Sequence, residues 1–439
     1  MPRRSLRIAW LGAGPGVRET GGVPGVATDL LQGLARRGHR IDCLFPSSGH
    51  PLPERLNGEQ NLTFVWGTAQ QRWDRWYSRT RIGAFVSGML VRALASVRLR
   101  REVARRHARE PYDVIYQFSN IESLAVPARL RGAVPLVIHP ETHIMGELRF
   151  LIAERELARR CQSERTLAIA AAVMAVRALV QRARIRRADL LVCISAVFRD
   201  HLVADYGFPL ERTVVIPNPV RMERFPERPR GLGEQAAVLV LGRVSARKGV
   251  EDVVAVAHAL RERGVPARVR VAGGPSMWSD YTALLEQLPA DTAEFVGRID
   301  PQEIPAELAR TDVLLQASKY EPFGLTVAEA LASGVPVVAT SEVGASEGVE
   351  RSVMSVLAPG DVRGMADAVE GAIERLRLDP EGTRALARAE ALRLFSSEVV
   401  CDRICDVLEQ LVAGDVSARG GGRPYEAPQN AQGSAAASR

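Results

Sequence analysis

The sequence predicts an α/β protein of two lobes, each a parallel sheet flanked by helices. The chain has 439 residues, more than one ordinary core accommodates and enough for two domains of roughly 200 residues each. Short apolar runs alternate with helical patterns almost throughout, which is how successive βαβ units read. The alternation breaks once in mid-chain, at "PNPVRMERFPERPRGLGEQ" (217–235), rich in Pro, Gly and Arg with little apolar pattern, and there a linker is expected. The resulting division is 1–216, linker 217–235, 236–385, C-terminal helices over 386–413 that pack back toward the first domain, and a tail over 414–439.

In the first lobe the strands read "RIAWLG", "RIDCLF", "LTFVWG", "YDVIYQ", "VPLVIH" and "LLVCIS". Two clusters of glycine follow the first. Gly12, Gly14 and Gly16 give G-x-G-x-G, but Val17 stands where a dinucleotide fingerprint needs its third glycine. The second strand ends "CLFPSS" without the acid that would hold a ribose. A nicotinamide or flavin site is therefore disfavoured. What is left is a long glycine-rich loop that either faces a ligand or is a surface turn. Two long basic helical stretches follow, Trp73–Glu110 and Arg149–Ala188. The first carries Trp73, Trp76 and Tyr77, with Phe85, Met89, Leu90 and Leu94 at helical spacing. It reads either as a helix packed on the sheet with solvated arginines, or as an amphipathic surface for a membrane or a hydrophobic acceptor.

In the second lobe the strands read "AVLVLGR", "RVRVAGG", "AEFVGR", "VLLQAS", "VPVVAT" and "SVMSVLA". The tail "ARGGGRPYEAPQNAQGSAAASR" holds too little apolar area to fold.

Net charge is +7, and of 58 basic residues only Lys248 and Lys319 are lysine. The cationic balance fits anionic ligands or lipid headgroups. No aromatic-basic strand motif or recognition helix supports nucleic acid. Five cysteines lack any CxxC or Cys/His spacing; Cys401 and Cys405, one helical turn apart, read as core. A reduced, cytoplasmic setting is expected. The first residues give way to glycine before a signal-peptide core forms. No apolar run reaches the ~20 residues of a membrane span. The expectation is a soluble protein, at most peripheral at an anionic membrane.

The sharpest signal is "SKYEPFGLTVAEALASGVPVVAT" (318–340). Gly334 and Pro336 stop a helix that runs from about Leu325 to Ser333. Its first amides, near Gly324, Leu325 and Thr326, lack intrahelical partners and carry about half a positive charge, which suits a phosphate. Glu329 lies one turn on, on the same face as Leu325, placed for a ribose. Glu321 precedes the helix and points at whatever the phosphate carries. A second motif, "VLGRVSARKGVEDVV", puts Arg243 and Lys248 between a strand and a helix. Two fixed cations there would offset charge building on a departing diphosphate. In a chain so poor in lysine, Lys248 stands out as a compact point charge.

"GRVSARKG" together with "EPFGLTVAEALASGVPVVAT" closely resembles the retaining GT-B glycosyltransferases with the E-x7-E signature, of the group 1 or family 4 type. "GGVPGVATDLLQGLARRGHRI", "ADLLVCIS", "VVIPNPVRMERF", "VRVAGG" and "FVGRI" extend the resemblance over most of the chain. It implies a GT-B fold, two Rossmann-like domains facing a cleft, the first for acceptor and the second for a nucleotide-sugar donor. The residue roles it implies are Arg243 and Lys248 on the diphosphate, Glu329 on the ribose and Glu321 on the donor sugar. Phe323 and Gly324 would add backbone near that sugar, and Leu325 and Thr326 amides to the phosphates. Gly273 and Gly274 would line the nucleotide, Arg298 and Ile299 would lie near the base, and Gly21 and Gly22 would close over the donor from the first domain. His139 would sit by the sugar; His143 and Ser195 are weaker candidates. Pro219 departs from the Asn-Gly that the family commonly has at that point.

No Asp-x-Asp occurs in the chain, so the metal clamp of the other major transferase fold lacks ligands. No metal and no cofactor are expected beyond the nucleotide-sugar co-substrate, a UDP-sugar foremost. The resemblance implies retention by front-side attack of an acceptor hydroxyl, with Glu321 positioning the donor. Sugar-nucleotide epimerases share the architecture, and a non-catalytic nucleotide-sugar-binding subunit is the remaining alternative. A pyridoxal-dependent phosphorylase is disfavoured because both lysines lie in donor motifs. The acceptor is a lipid, a glycan or a small natural product.

Overall fold

A computed structural model describes residues 4–15, 22–45, 52–66, 81–119, 126–161, 163–226, 231–275 and 280–414. The described residues form two parallel sheets. The first lobe runs β1 (Arg7–Gly12), α1 (Val23–Arg36), β2 (Arg40–Phe45), β3 (Leu62–Trp66), α2 (Arg81–Arg109), β4 (Val114–Phe118) and β5 (Leu136–His139). It continues through α3 (Ile144–Ala153), α4 (Arg155–Cys161), α5 (Glu164–Ile185), β6 (Leu190–Cys193), α6 (Ala196–Tyr206) and β7 (Thr213–Val215). Its strand order is β3-β2-β1-β4-β5-β6-β7. Strand residues alternate between faces. Ile8, Trp10, Tyr116 and Val137 pack with Leu30, Leu31 and Leu34 of α1. Leu11, Ile115, Ile138 and Leu191 pack on the other face with Leu99 and Val103 of α2 and Ile185 of α5.

The second lobe runs β8 (Ala236–Leu241), α7 (Val250–Glu262), β9 (Ala267–Ala272), β10 (Ala293–Gly297), α8 (Ile304–Ala309), β11 (Val313–Gln316), α9 (Leu325–Ala332), β12 (Val337–Thr340), β13 (Met354–Leu357) and α10 (Val362–Leu378). Its strand order is β10-β9-β8-β11-β12-β13. In both sheets the order reverses between the first and fourth strands. Open parallel sheets bind ligands at that switch point, beyond the C-terminal strand ends.

Two helices complete the chain, α11 (Pro380–Phe395) and α12 (Ser397–Ala413). Helix α11 starts six residues before the boundary read from the sequence, because Asp379 caps it by accepting from the Gly382 amide at 2.9 Å. Helix α12 returns to the first lobe, where Val400, Cys401, Ile404, Cys405 and Leu408 join the core under α1. Both cysteines are fully buried there.

Direct bonds join the lobes. The Ser195 hydroxyl donates to the Pro322 carbonyl at 2.7 Å. Glu347 accepts from the Ala196 and Val197 amides at 2.7 and 2.8 Å, capping α6 from the opposite lobe. The Val220 amide donates to the Phe395 carbonyl at 2.6 Å.

One expectation needs correction. Helix α5 is 22 residues long with a window of mean hydropathy 1.4, long and apolar enough by length and composition to cross a membrane. Arg177 interrupts the apolar letters, so no unbroken run appears, yet the average over a window absorbs two charges, Arg177 and Arg182.

Candidate active site

Two loops meet at the switch point of the second sheet. The loop after β8 carries Gly242, Arg243 and a short 3-10 turn, Ala246–Lys248, before α7. The loop after β11 carries Lys319–Gly324 and leads into α9. Main-chain bonds staple them: the Lys319 amide donates to the Arg247 carbonyl at 2.8 Å. Arg247 Nη1 in turn donates to the Tyr320 carbonyl at 3.0 Å.

Glu321 sits where the loops touch. Its Oε2 accepts from Arg247 Nη1 at 3.0 Å, and Lys248 Nζ closes on the same oxygen. Burial opposes the carboxylate charge, but Lys248 and Arg247 overcome it and hold the carboxyl at about 2. Burial also lowers Lys248, against the support of Glu321. The carboxylate is thus ionised, ion-paired and largely out of reach of water. Arg247 was not singled out from the sequence. Arginine is so abundant in this chain that the one beside Lys248 carried no contrast, and only the ion pair reveals it.

Arg243 is exposed at the rim. It lines one small cavity with Lys248, Gly242, Val244, Gln316 and Ala317, so the structure brings the two sequence-predicted cations together. Gly273 and Gly274 follow β9 on the same edge. A Cβ on Gly273 would lie 1.7 Å from the Gly242 carbonyl oxygen, so the ends of β8 and β9 can lie this close only with glycine there. Arg298 is exposed after β10, with Cβ 3.7 Å from where a Gly274 Cβ would be. Ile299 is half-buried against the core.

Gly324 precedes α9 with φ 93°, a left-handed conformation that glycine adopts without strain. No side chain caps this end, and the Leu325 and Thr326 amides fall where a helix has no acceptor of its own. Phe323 turns its ring into the core, edge-on to Phe395 at 5.7 Å, which leaves its backbone at the helix start. Glu329 lies one turn on, buried in α9. Burial pushes its carboxyl up to about 7, against the pull of Arg224 from the chain between the lobes and with the push of Asp29 from α1.

In the first lobe, Gly22 is the residue before α1, with φ 72°. Gly21, Trp73, Trp76 and Tyr77 lie outside the described residues. His139 ends β5 on the face that carries Trp10, Tyr116 and Phe118. Its ring is fully buried, with Nδ1 bonded to the Tyr116 hydroxyl at 2.7 Å and Nε2 3.5 Å from Glu141 Oε1. Burial pushes the imidazole down to about 3. Contact with a sugar therefore requires the ring to leave this pocket.

Two weaker candidates prove to be interlobe ties. His143 Nδ1 bonds the Tyr320 hydroxyl at 2.8 Å, and Ser195 caps α6 while reaching Pro322. Lys319 is a third tie, 3.1 Å from Glu154 at the end of α3. Among the described residues no group of three or more His, Cys, Asp or Glu is placed to hold a metal ion.

Two family models meet end to end on this chain. "Glycosyltransferase Family 4" matches residues 20–224 and "Glycosyl transferases group 1" matches 223–388. The chain belongs to the GT-B glycosyltransferases. Over 220 residues, 48% of its own length, this chain is 34% identical to a glycogen synthase of Mycobacterium tuberculosis, and it spans about half (51%) of that relative. The structure of sucrose-phosphate synthase from Thermosynechococcus elongatus superposes with TM-score 0.63 at 19% identity, covering 94% of this chain and all of that one. Anabaena HepE, solved with UDP and glucose, gives 0.60 at 18%, covering 92% and 100%. At these identities the two structures speak for the fold of this chain alone, two Rossmann-like lobes.

Proposed function

We propose that the chain transfers a glycosyl group from a nucleotide-diphospho-sugar to an acceptor hydroxyl, with retention of anomeric configuration. The observation that carries this reading is the joint placement of Arg247, Lys248 and Glu321 beside the uncapped start of α9, at the switch point of the second sheet. The Leu325 and Thr326 amides, Lys248 and Arg243 take the diphosphate, and Glu329 takes the ribose. Phosphate entry draws Lys248 partly from Glu321, and the freed carboxylate oxygen then accepts from a hydroxyl of the donor sugar. A carboxylate paired to two cations is a poor nucleophile, so Glu321 positions the donor.

In the transfer itself the bond from the anomeric carbon to the phosphate oxygen breaks. A bond to the acceptor oxygen forms on the same face, and the acceptor proton passes to the departing phosphate. The charge on that phosphate is met by fixed side chains and amides, a term that is commonly the largest in such catalysis. No metal or cofactor is assigned a part. UDP is the favoured nucleotide, supported by HepE having been solved with UDP and glucose. The acceptor is a lipid, a glycan or a small natural product. A reduced, cytoplasmic setting is supported by five free cysteines, four of them buried.

Thermal melting with UDP-, GDP- and dTDP-sugars, followed by proton NMR of the product linkage, tests this. A melting rise with one nucleotide series and an axial-to-axial or equatorial-to-equatorial outcome are expected. No rise with any of them, or an inverted product, overturns it.

A further inference from the structure

Helix α5 carries its apolar residues on the wrong side for a soluble protein. The outward residues recur at helical spacing: Ala168, Ile169, Ala172, Val176, Leu179, Val180 and Ala183 are all exposed, with Val176 at 56% and Leu179 at 62%. The inward face is small and partly polar. Ala170, Ala178, Gln181 and Ile185 are buried, and Gln181 donates to the Thr142 carbonyl at 2.6 Å and accepts from the Tyr206 hydroxyl at 2.5 Å. An ordinary surface helix shows the reverse arrangement.

Arginines bracket the outward stripe. Arg165 is exposed at its start, and Arg182, Arg186 and Arg187 at its end. Between 165 and 188 the chain has six arginines and no acidic residue. On the same face of the sheet, α2 presents Leu90, Leu94 and Val97 at 61, 65 and 48% exposure, with Arg98, Arg100 and Arg101 exposed beside them.

We infer that the outer face of α5 is a docking surface for an anionic lipid bilayer, on which the helix lies in the interface plane. The apolar stripe enters the acyl boundary, and the flanking guanidiniums pair with headgroup phosphates. The charge decides for lipid over protein: a border dominated by arginine, with Glu164 as its acidic member at the helix start, surrounds an aliphatic strip and complements a surface of diffuse negative charge. The helix does not cross the membrane, although its length and composition allow it. Crossing would tear Gln181 from Thr142 and Tyr206 and expose the inward face. The inference requires no donor chemistry. It deepens the proposed function only in placing the acceptor lobe against a membrane.

Sedimentation of the full chain with vesicles tests it, using phosphatidylcholine alone and phosphatidylcholine with 30–40% phosphatidylglycerol, roughly the anionic content that gives a strong surface potential. Binding to the anionic vesicles is expected, at least tenfold above neutral ones. Val176→Glu with Leu179→Glu should abolish it, and Arg182→Gln with Arg187→Gln should weaken it several-fold. Neither pair touches the donor motifs, so melting shifts with nucleotide-sugar should persist and report that the variants are folded. No binding by the unaltered chain, binding indifferent to both pairs, or a dimer in solution that the Glu pair splits would each overturn the inference. Loss of nucleotide-sugar shifts with lipid binding intact would instead count against the proposed function alone.

Discussion

Glu321 and Arg247 lie 3.0 Å apart, with Lys248 on the same carboxylate oxygen, and the three charges share one buried corner. Each cation answers for a different part of the arrangement. Arg247 also holds the Tyr320 carbonyl, so it fixes the loop. Among the described residues the Lys248 side chain has no such second bond, so it is the one a phosphate can take over.

Lys248→Ala should therefore leave a folded protein, because Arg247 still neutralises Glu321. Its turnover should fall on the order of 10²–10³-fold, the usual cost of one charge-stabilising donor. Arg247→Ala should lower the melting temperature as well, because a buried carboxylate loses one partner and the Tyr320 carbonyl another. Steady-state kinetics beside melting curves distinguish the two. Near-native turnover in a folded Lys248→Ala protein removes the diphosphate assignment.

Glu329 predicts a pH dependence of donor affinity. Its carboxyl is held near 7 by burial, with Arg224 and Asp29 as the charged groups acting on it. Ribose hydroxyls donate to the ionised form, so binding favours ionisation and releases a proton. Affinity for a nucleotide-sugar, whose phosphodiester oxygens do not titrate in this range, should rise several-fold from pH 6 to 8 and then level. Calorimetry across that range should show the rise lost in Glu329→Gln. An equal slope in both proteins would place the ribose elsewhere.

Gly273 and Gly274 separate a steric requirement from an accident of composition. A methyl on Gly273 meets the Gly242 carbonyl at 1.7 Å, while one on Gly274 meets only Arg298 Cβ at 3.7 Å, an ordinary contact. Gly273→Ala should spread the ends of β8 and β9, lower the melting temperature and abolish donor binding. Gly274→Ala should stay near the parent in both. A tolerated Gly273→Ala would mean the two strand ends are freer than they look.

The two parallel sheets were legible because parallel strands are buried on both faces and read as unbroken apolar runs such as "VLVL" and "VPVVAT". Helix α9 was legible to within a residue, since Gly324 and Gly334 bound it chemically. What the letters hid are relationships across the chain. Arg247 is one arginine among many until Glu321 arrives 74 residues later. Lys319 looked like a donor residue because it neighbours Glu321, but side chains in a loop diverge, and this one reaches Glu154. The outward stripe of α5 was hidden because a one-dimensional pattern gives the face but not which way it points.

The buried pair at the end of β5 sets the last prediction. Glu141 Oε2 accepts from Asn218 Nδ2 at 2.8 Å, yet burial still pushes this carboxyl from 4.5 up to about 7. A carboxyl raised on folding stabilises the fold while protonated. That contribution is whole below about pH 4.5 and is lost as pH rises through 7. Beside it, His139 is lowered from 6.5 to about 3, so its contribution runs the other way, whole above 6.5 and lost as pH falls toward 3. Glu141→Gln keeps an acceptor for Asn218 and removes the charge, leaving the His139 term in place. The variant should then melt with the parent at pH 4.5 and above it at pH 8, by up to about 3 kcal/mol, at roughly 1.4 kcal/mol for each pH unit of displacement. Melting curves at the two pH values check this. A variant less stable than the parent at pH 8 would mean that Glu141 is ionised in the fold and paired with a protonated His139, which reverses the sign of both terms.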